Sequence, residues 1–267
     1  MTTLQEMAQT REHDLEKSEI LSVEGMAIHF GGVHALRDVS LCASRGEVTG
    51  VIGPNGAGKT TLFNCLSGLL RPDHGKIVFD RHPLRGTPMV RGRRGLGRTF
   101  QTPRLFRSLS VMDNLVLGCQ VAHSAKLHYE FDPSLDELND QRRAVRIARL
   151  VGYEGRLDAM AGSLPFGDLR TVELARALCA APKMLMLDEP ASGLDVEQAL
   201  VLVALLRSLA ELGLAILLIE HDMSVVMEVC ETLTVLDFGE VLARGTPEEI
   251  QNNQQVLDAY LGRPHDA

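Results

Sequence analysis

The sequence has no apolar run that approaches the length of about 18 residues needed to cross a membrane. The richest run, residues 214–219, is short and predicts a buried strand. Residues 1–18 are polar and of mixed charge, and they lack the apolar segment of a signal peptide or an anchor. We therefore expect a soluble chain with a polar N-terminal tail at residues 1–18, which could still bind a membrane-embedded partner.

Cysteine motifs and an excess of positive charge are also absent. The five cysteines are scattered and form no Cys-x-x-Cys pair or Cys/His cluster, so they predict small buried side chains in a reducing compartment. The formal net charge of -8 argues against general nucleic-acid binding, which normally needs a basic face. A length of 267 residues allows one large domain or two small ones.

What the sequence does have is a glycine-rich loop at residues 53–61, between an apolar stretch at residues 48–52 and a helical pattern at residues 60–70. A strand, a glycine loop with Lys-Thr and a helix form a cradle in which backbone N–H groups point at a phosphate. The Lys59 ammonium can reach the terminal phosphates, and the Thr60 hydroxyl can bind Mg²⁺. The loop predicts a nucleotide site formed by Gly53, Pro54, Asn55, Gly56, Ala57, Gly58, Lys59, Thr60 and Thr61.

Acidic residues follow two apolar strands further along the chain. Asp188 and Glu189 come directly after the strand predicted at residues 184–187, and Glu220, His221 and Asp222 come after the strand at residues 214–219. The carboxyl ends of strands are where parallel α/β sheets place their chemistry. The pattern therefore predicts a second group of functional residues near the phosphate loop.

Three other patterns have an ordinary structural interpretation. A helix capped by Ser110 and Asp113 is expected to stop at Gly118, and a small helical unit is expected at residues 132–160. The seven arginines between residues 85 and 107 are expected to lie mostly on a solvated face, with a minority available to an acidic partner surface or lipid headgroups. Taken alone, Phe30 is expected in the core rather than stacked on a purine ring.

The order of these motifs resembles the nucleotide-binding subunit of an ATP-binding-cassette (ABC) transporter, over residues 19–261. In amino-acid sequence, residues 30–33, 53–64, 98–103 and 220–223 are similar to the branched-chain amino-acid importer ATPases in particular. The resemblance implies an α/β fold of the P-loop NTPase class. It places an ABC ATPase domain at residues 19–262, with a RecA-like core, an antiparallel β subdomain and an inserted α-helical subdomain at about residues 104–165.

The resemblance also implies a catalytic set. Glu189 would orient or deprotonate the attacking water, and His221 would contact the γ-phosphate and hold the water and Glu189 in line. Lys59 would stabilise charge on the phosphates, and Gln101 would face the metal. The implied reaction is ATP hydrolysis.

The implied ligands are ATP and Mg²⁺. Thr60, Gln101 and Asp188 would hold the metal, directly or through water. Phe30 would become the platform for the adenine ring, which reverses the preference for a core position.

The resemblance further implies that two cassettes face each other, with Gly167 and Asp195 contributing to nucleotide binding. The family's usual Leu-Ser-Gly-Gly-Gln loop is here replaced by residues 164–168, in which Pro165 and Phe166 depart from the pattern. Pro165 lacks the hydroxyl that would bond the γ-phosphate, and such a bond is worth about 1.5–3 kcal/mol. The departure leaves open a slow half-site.

The partners implied are a second ABC ATPase subunit, identical or paralogous, transmembrane permease subunits and, indirectly, an extracytoplasmic binding protein, with no nucleic acid. The protein would lie peripherally on the cytoplasmic side of the membrane and energise uptake of branched-chain or related amino acids. Two alternatives remain open from the sequence. One is a soluble ABC-type ATPase outside transport, and the other is a nucleotide-sensing module with weak hydrolysis.

Overall fold

The computed structural model describes residues 19–261. The strands are β1 (Glu19–Phe30), β2 (Val33–Ser44), β3 (Val48–Ile52), β4 (His74–Phe79), β5 (His82–Pro83), β6 (Leu96–Arg98), β7 (Met184–Asp188), β8 (Ala215–Ile219), β9 (Thr232–Asp237) and β10 (Glu240–Gly245). The helices are α1 (Lys59–Ser67), α2 (Pro88–Gly92), α3 (Val111–Ala125), α4 (Asp140–Leu150), α5 (Phe166–Cys179), α6 (Val196–Glu211), α7 (Met223–Val229), α8 (Pro247–Gln251) and α9 (Gln254–Leu261). The tail predicted at residues 1–18 and the domain boundary predicted at residue 262 lie outside the described residues.

A six-stranded sheet with the order β10-β9-β3-β8-β7-β6 forms the centre of the fold. Only β10 runs antiparallel to its neighbour; β9, β3, β8, β7 and β6 pair in parallel. Every residue of β3, β7 and β8 is buried, as expected for parallel strands covered on both faces. Because parallel strands end at one edge of the sheet, the residues that follow β3, β7 and β8 emerge close together.

A four-stranded antiparallel sheet, β2-β1-β4-β5, covers one side of the central sheet. Strand β1 buries one face, since its apolar side chains Leu21, Val23, Met26 and Ile28 are buried. These side chains share one apolar core with α1 and with one face of the central strands. The α1 helix is thereby fixed between the two sheets, and its N-terminus lies at the functional edge.

The segment between β6 and α5 is helical. Helices α3 and α4 contact each other and α5, and their apolar residues belong to the same core as the other face of the central sheet. The boundaries of the helical unit, about residues 104–165, remain a prediction. Within residues 19–261, no helix combines the length and the apolar character that a membrane span requires.

The expectation that the helix after Ser110 stops at Gly118 is wrong. The predicted Ser110–Asp113 capping box is present, but α3 continues to Ala125 and ends at Lys126, which has a φ of 54°. Gly118 lies inside the helix where α3 crosses α5, and a Cβ there would come within 2.5 Å of the Arg176 carbonyl oxygen. The glycine therefore allows the two helices to pack closely. In a single sequence, a glycine with this role cannot be distinguished from a glycine that ends a helix.

The solvated-face prediction is right for most of the arginines between residues 85 and 107 and wrong for Arg91 and Arg98. Arg91 is buried, and its Nη1 donates to the carbonyl oxygens of Cys65 (2.6 Å) and Leu66 (2.7 Å). These are among the last carbonyls of α1, which have no partner inside the helix, so Arg91 closes that helix end. Arg98 belongs to the site described below.

Candidate nucleotide site

The glycine-rich loop connects β3 to α1 with a backbone that requires glycine. Gly53 has a φ of 147°, and a Cβ there would lie 2.0 Å from the Leu236 carbonyl oxygen. Gly58 has a φ of 104°, and a Cβ there would lie 2.6 Å from the Ala35 carbonyl oxygen. The loop is thus pressed against β2 and β9, which aims the N-terminus of α1 at the edge of the central sheet.

The Lys59 ammonium lies within the loop. Its Nζ donates to the carbonyl oxygens of Gly53 (2.6 Å) and Pro54 (3.0 Å). Burial lowers the pKa of Lys59, and the negative charges of Glu189 and Asp188 oppose that effect. A positive charge, loop amides and a helix N-terminus converge there, which is the arrangement that binds a polyphosphate.

A cavity of about 560 Å³ opens over the loop. Its lining residues come from the loop, from the turn and strand after β1, from the end of β7 and from the β9–β10 hairpin: Gly32, Val33, His34, Ala35, Arg37, Asn55, Gly56, Ala57, Gly58, Lys59, Thr60, Thr61, Glu189 and Phe238. The core position favoured for Phe30 on its own is wrong, because this side chain is 49% exposed. The lining contains Phe238 and Val33, whereas Phe30 lies next to it at the end of β1; its adenine-platform role remains a prediction.

Two carboxylates stand at the end of β7, as the sequence predicts. Asp188 is buried, and burial raises its pKa while the adjacent Arg98 guanidinium opposes the rise. Glu189 has a φ of 51°, and its N–H donates to the Ile219 carbonyl oxygen at 2.9 Å. A positive φ is uncommon for a non-glycine residue, and it turns the Glu189 side chain off the strand toward the cavity.

Gln101 and His221 both lie beside Glu189. Gln101 Nε2 donates to Glu189 Oε2 at 2.8 Å, and His221 Nδ1 lies 3.9 Å from Glu189 Oε1. The structure therefore brings together Lys59, Gln101, Glu189 and His221, the catalytic set that the family resemblance implies. Their individual roles remain proposals.

Arg98 is a residue of this site that no sequence motif indicates as functional. Its side chain is 7% exposed and its Nη2 lies 3.1 Å from Asp188 Oδ2. Its Nη1 donates to Asn64 Oδ1 (2.9 Å) and Ser67 Oγ (2.7 Å), both on α1. The guanidinium also lies over the Phe100 ring, with Cζ 4.8 Å from the centroid. Arg98 therefore connects the end of β7, α1 and the Gln101 loop.

Two buried glutamates hold the loops around the site. Glu173 on α5 accepts hydrogen bonds from the N–H of Phe100 (3.2 Å) and of Arg104 (2.6 Å), on either side of Gln101. Glu220 accepts from the N–H of Ala191 (2.7 Å) and of His221 (3.1 Å), joining the loops after β7 and β8. Burial raises the pKa of both carboxyls, and the N–H donors oppose this. The sequence signal for the role of Glu220 is its position directly after an apolar strand and directly before His221.

Gly167 and Asp195 lie apart from the phosphate loop. They line a second cavity of about 500 Å³, which also contacts Asp188 and Glu189. Gly167 is in the first turn of α5, where nothing lies within 4 Å of its Cβ position. Asp195 caps α6, since its Oδ1 accepts from the Gln198 N–H at 2.8 Å. In this chain neither residue lines the cavity above the loop.

Comparisons with known proteins agree with this geometry. The sequence profile of the ABC transporter family matches residues 36–192, and that of the branched-chain amino acid ATP-binding cassette transporter family matches residues 240–266. The high-affinity branched-chain amino acid transport ATP-binding protein BraF of Pseudomonas aeruginosa is 40% identical over 253 residues, covering 91% of this chain and 98% of that protein. LivG of Escherichia coli, with the same description, is 40% identical over 249 residues, with the same coverage.

Relatives with another description and solved structures are also similar. The lipopolysaccharide export system ATP-binding protein LptB of Escherichia coli is 36% identical over 246 residues, covering 91% of this chain and 97% of that protein. The crystal structure of a nucleotide-free ATP-binding cassette from an ABC transporter is 30% identical, with a TM-score of 0.78 and coverage of 92% and 100%. The ADP conformation of an ATP-binding cassette has a TM-score of 0.78 at 29% identity, with coverage of 92% and 99%.

The fold and the site define a P-loop ATPase of the ATP-binding-cassette class, which binds adenine nucleotide. The chain belongs to the ABC transporter family and, within it, to the branched-chain amino acid ATP-binding cassette group.

Proposed function

We propose that this chain is the ATP-hydrolysing subunit of an importer for branched-chain or related amino acids, peripheral on the cytoplasmic side of the membrane. The observation that carries the proposal is the position of Glu189, which lines the cavity over the phosphate loop while contacting Gln101 and facing His221. A carboxylate so placed can accept the proton of a water that attacks a phosphate held by the loop. BraF and LivG supply the transport part of the proposal.

Each residue of the site then has a defined task. Lys59 and the loop amides hold the phosphates and stabilise the charge that develops on them. Glu189 orients the water and takes its proton, so that inorganic phosphate and ADP are released. His221 contacts the γ-phosphate and Gln101 keeps Glu189 in position.

The oxygen donors near the loop fit Mg²⁺. Thr60, Gln101 and Asp188 offer a hydroxyl, an amide and a carboxylate oxygen, the donor types that this hard cation prefers. Within residues 19–261, no cluster of three or more His, Cys, Asp or Glu side chains is present that could bind a metal by itself. When bound, the cation would neutralise part of the negative charge of the phosphates, with Thr60, Gln101 and Asp188 as the residues that would hold it.

A second cassette, identical or paralogous, would complete the site. Gly167 and Asp195 lie outside the cavity over the loop, so they are available to a nucleotide bound by another copy. Helix α5 begins at Phe166, and Pro165 at its N-cap makes no side-chain hydrogen bond there. Backbone amides would therefore do the work of this loop, without the serine hydroxyl of the family's usual motif.

The chemical class of the transported solute is inferred from the relatives. LptB is described as a lipopolysaccharide export protein and is 36% identical, so similarity of this degree along the cassette does not fix the transported molecule. The family profile that matches residues 240–266 carries the branched-chain amino acid description. This match, with BraF and LivG, favours amino acids, with solute recognition by permease subunits and an extracytoplasmic binding protein.

The test of the catalytic part is ATP hydrolysis by the purified protein with Mg²⁺ and by the Glu189→Gln variant. The variant should bind ATP normally and lose turnover by about 10²–10⁴-fold, because the amide cannot take the proton. Glu211→Gln, at the exposed end of α6, is the matched control and should hydrolyse ATP at the wild-type rate. Hydrolysis at the wild-type rate by Glu189→Gln would overturn the mechanism.

The transport part is tested by co-expression with candidate permease subunits and extraction in detergent. The chain should co-purify with them, and ATP hydrolysis should rise when the binding protein and a branched-chain amino acid are added. An active ATPase that associates with no membrane protein in this assay would contradict the transport role and leave the catalytic role intact.

A further inference from the structure

The Arg98 side chain lies between the end of β7 and helix α1. Its backbone is placed by the pairing of β6 with β7, in which Arg98 lies opposite Met186, two residues before Asp188. From there Nη2 reaches Asp188 Oδ2 at 3.1 Å, and Nη1 reaches Asn64 Oδ1 at 2.9 Å and Ser67 Oγ at 2.7 Å. One planar group therefore joins the carboxylate at the end of β7 to two side chains of α1.

Two aromatic rings restrict the same guanidinium. Its Cζ lies 4.8 Å from the centroid of the Phe100 ring and 5.6 Å from that of the Phe63 ring. The side chains of Arg98 and Asp188 are only 7% and 8% exposed, so neither can turn into solvent. A rigid fork of donors that is held at two nitrogens has little freedom to rotate. The Asp188 carboxylate that it binds is therefore held in one orientation.

The two anchors on α1 share a face of the helix with a proposed metal ligand. Asn64 and Ser67 follow Thr60 by four and seven residues, a spacing that places all three on one side of α1. The Thr60 hydroxyl is one of the oxygens proposed to hold Mg²⁺. The hydrogen bonds of Arg98 thus fix Asp188 relative to the helix face that carries another donor for the cation.

Stability alone does not account for an ion pair at this place. Replacing a buried ion pair by well-packed apolar side chains is often neutral or stabilising. The Nε of Arg98 is buried and has no hydrogen-bond partner among residues 19–261, and an unpaired buried donor lowers stability. An apolar pair would avoid this penalty, so the charged pair points to a task at the site.

We propose that Arg98 is a positioning residue for the metal that accompanies the nucleotide, and that it acts by tying the Asp188 carboxylate to α1. The inference rests on the proposed function, in which Asp188 and Thr60 hold Mg²⁺. This small cation demands near-ideal geometry from its ligands. A carboxylate whose orientation is set in advance by a hydrogen-bond partner therefore binds it more tightly than a mobile one.

The test separates the binding of nucleotide from the binding of metal. Calorimetry measures the affinity for adenylyl imidodiphosphate, a non-hydrolysable ATP analogue, once with Mg²⁺ and once with EDTA. Arg98→Lys keeps the positive charge but lacks the planar fork that bonds three partners at once. The variant should match the wild type in EDTA and bind about tenfold more weakly with Mg²⁺, because losing a group that orients a metal ligand has effects of this size.

A second variant examines the tie from the side of α1. Asn64→Ala/Ser67→Ala removes the two oxygens that hold Nη1 and leaves the Arg98–Asp188 pair in place. It should bind the analogue about three- to tenfold more weakly with Mg²⁺, as expected for the loss of hydrogen bonds, with an unchanged affinity in EDTA. Since it keeps the buried ion pair, it tests the proposal even if a change at Arg98 prevents folding.

Arg91→Lys is the matched control. Arg91 is also a buried arginine that contacts α1, but its partners are the backbone carbonyl oxygens of Gly86, Cys65 and Leu66 rather than a side chain of the site. The change should lower the Tm and leave the affinity for the analogue unchanged with and without Mg²⁺. A merely structural effect of losing a buried guanidinium would appear in this variant as well.

The other outcomes are distinct. If Arg98→Lys or Asn64→Ala/Ser67→Ala matches the wild type with Mg²⁺, the tie is overturned and the proposed function stays intact. Equal weakening in EDTA and in Mg²⁺ would show that Arg98 supports the phosphate loop as a whole, which also overturns the inference. Asp188→Asn is the reference and should lose most of the effect of Mg²⁺. If it keeps that effect, Asp188 does not hold the metal, which contradicts the metal part of the proposed function itself.

Discussion

Gln101 Nε2 donates a hydrogen bond to Glu189 Oε2 over 2.8 Å, joining two residues 88 positions apart in the chain. The Gln101 loop is itself held on both sides, because Glu173 accepts from the N–H groups of Phe100 and Arg104. The orientation of the proposed base therefore depends on a loop that is anchored to α5. A movement of α5 relative to the central sheet would be transmitted to Glu189 through this loop.

We expect Gln101→Ala to lower kcat for ATP hydrolysis by about ten- to a hundredfold, with little change in the KM for ATP. The phosphate loop and two of the three proposed metal ligands, Thr60 and Asp188, are untouched, so binding of ATP with Mg²⁺ should largely persist. The Glu189 carboxylate, however, loses the partner that orients it, and a small displacement of a catalytic group has effects of this size. Steady-state kinetics at saturating Mg²⁺ measure both parameters.

Gln141→Ala, at an exposed position on α4, is the control for the loss of a glutamine and should behave as wild type. A Gln101→Ala variant with wild-type kcat and a raised KM would mean that Gln101 contributes to binding rather than to the position of Glu189.

The phosphate loop and the carboxylates could be predicted from the sequence because their chemistry is encoded locally. Three glycines, Lys59 and Thr60 lie within eight positions, and Asp188 directly follows a wholly apolar strand. The apolar residues of β1 likewise indicate a half-buried strand from the local sequence alone. Features of this kind need no knowledge of what the chain packs against.

The positions of Arg98 and Phe238 at the site could not be predicted, because they depend on residues that are distant in the sequence. Arg98 is one of seven arginines between residues 85 and 107, and only the fold places Asp188, Asn64 and Ser67 around it. Phe238 acquires its position from a hairpin held by Ala57 and Arg37. No local pattern separates such residues from an ordinary solvated arginine or an ordinary strand aromatic.

We expect Arg98→Met to reduce the free energy of unfolding by about 3–5 kcal/mol. The change leaves the buried Asp188 carboxylate without its cation, and breaking a buried pair from one side is costly. The Asn64 and Ser67 side chains also lose their donor. Urea denaturation monitored by circular dichroism gives the value.

Arg93→Met is the matched control, because Arg93 is exposed in the same segment and its loss should change stability by less than about 0.5 kcal/mol. The double variant Arg98→Met/Asp188→Asn should be more stable than the sum of the two single changes predicts, since neutralising position 188 removes the unpaired charge. Strict additivity would show that the pair is not the source of the stabilisation.

The carboxylate of Asp80 gives a prediction for acid pH. Asp80 Oδ2 accepts from Lys183 Nζ at 2.5 Å and Oδ1 from Arg45 Nη2 at 3.1 Å, linking the end of β4 to the residue before β7. The hydrogen bond from Lys183 is the main cause that lowers the pKa of Asp80 below its ordinary value of 3.8. The group therefore stabilises the fold above that value, and the contribution is lost as the pH falls through the lower pKa of the folded state.

We expect Asp80→Asn to be less stable than the wild type near neutral pH, by up to about 1 kcal/mol because the carboxylate is about one-third exposed. The difference should shrink as the pH falls below about 4. Urea denaturation over a pH series measures it, and Asn tolerates the positive φ of 49° at this position. Lys183→Met should abolish most of the difference between Asp and Asn at position 80. A difference that grows in acid would contradict the sign of the pKa shift.

Gly118→Ala tests the packing of α3 on α5, and two effects oppose each other there. Inside a helix, alanine is more stable than glycine by about 0.5–1 kcal/mol, so helix propensity alone predicts a more stable protein. A Cβ at this position would, however, lie 2.5 Å from the Arg176 carbonyl oxygen and 2.8 Å from Cys179 Cβ. These are backbone and near-backbone atoms of α5 that cannot rotate away, so the helices must separate, at a cost of about 1–3 kcal/mol. We expect the packing cost to exceed the gain in helix propensity, so the variant should unfold at a lower urea concentration than the wild type.

Gly92→Ala is the control, because Gly92 lies at the end of α2 with nothing within 4 Å of its Cβ position, so the change should be neutral or slightly stabilising. A Gly118→Ala variant more stable than the wild type would show that α3 can move away from α5 at no cost, and that glycine is not needed for this contact.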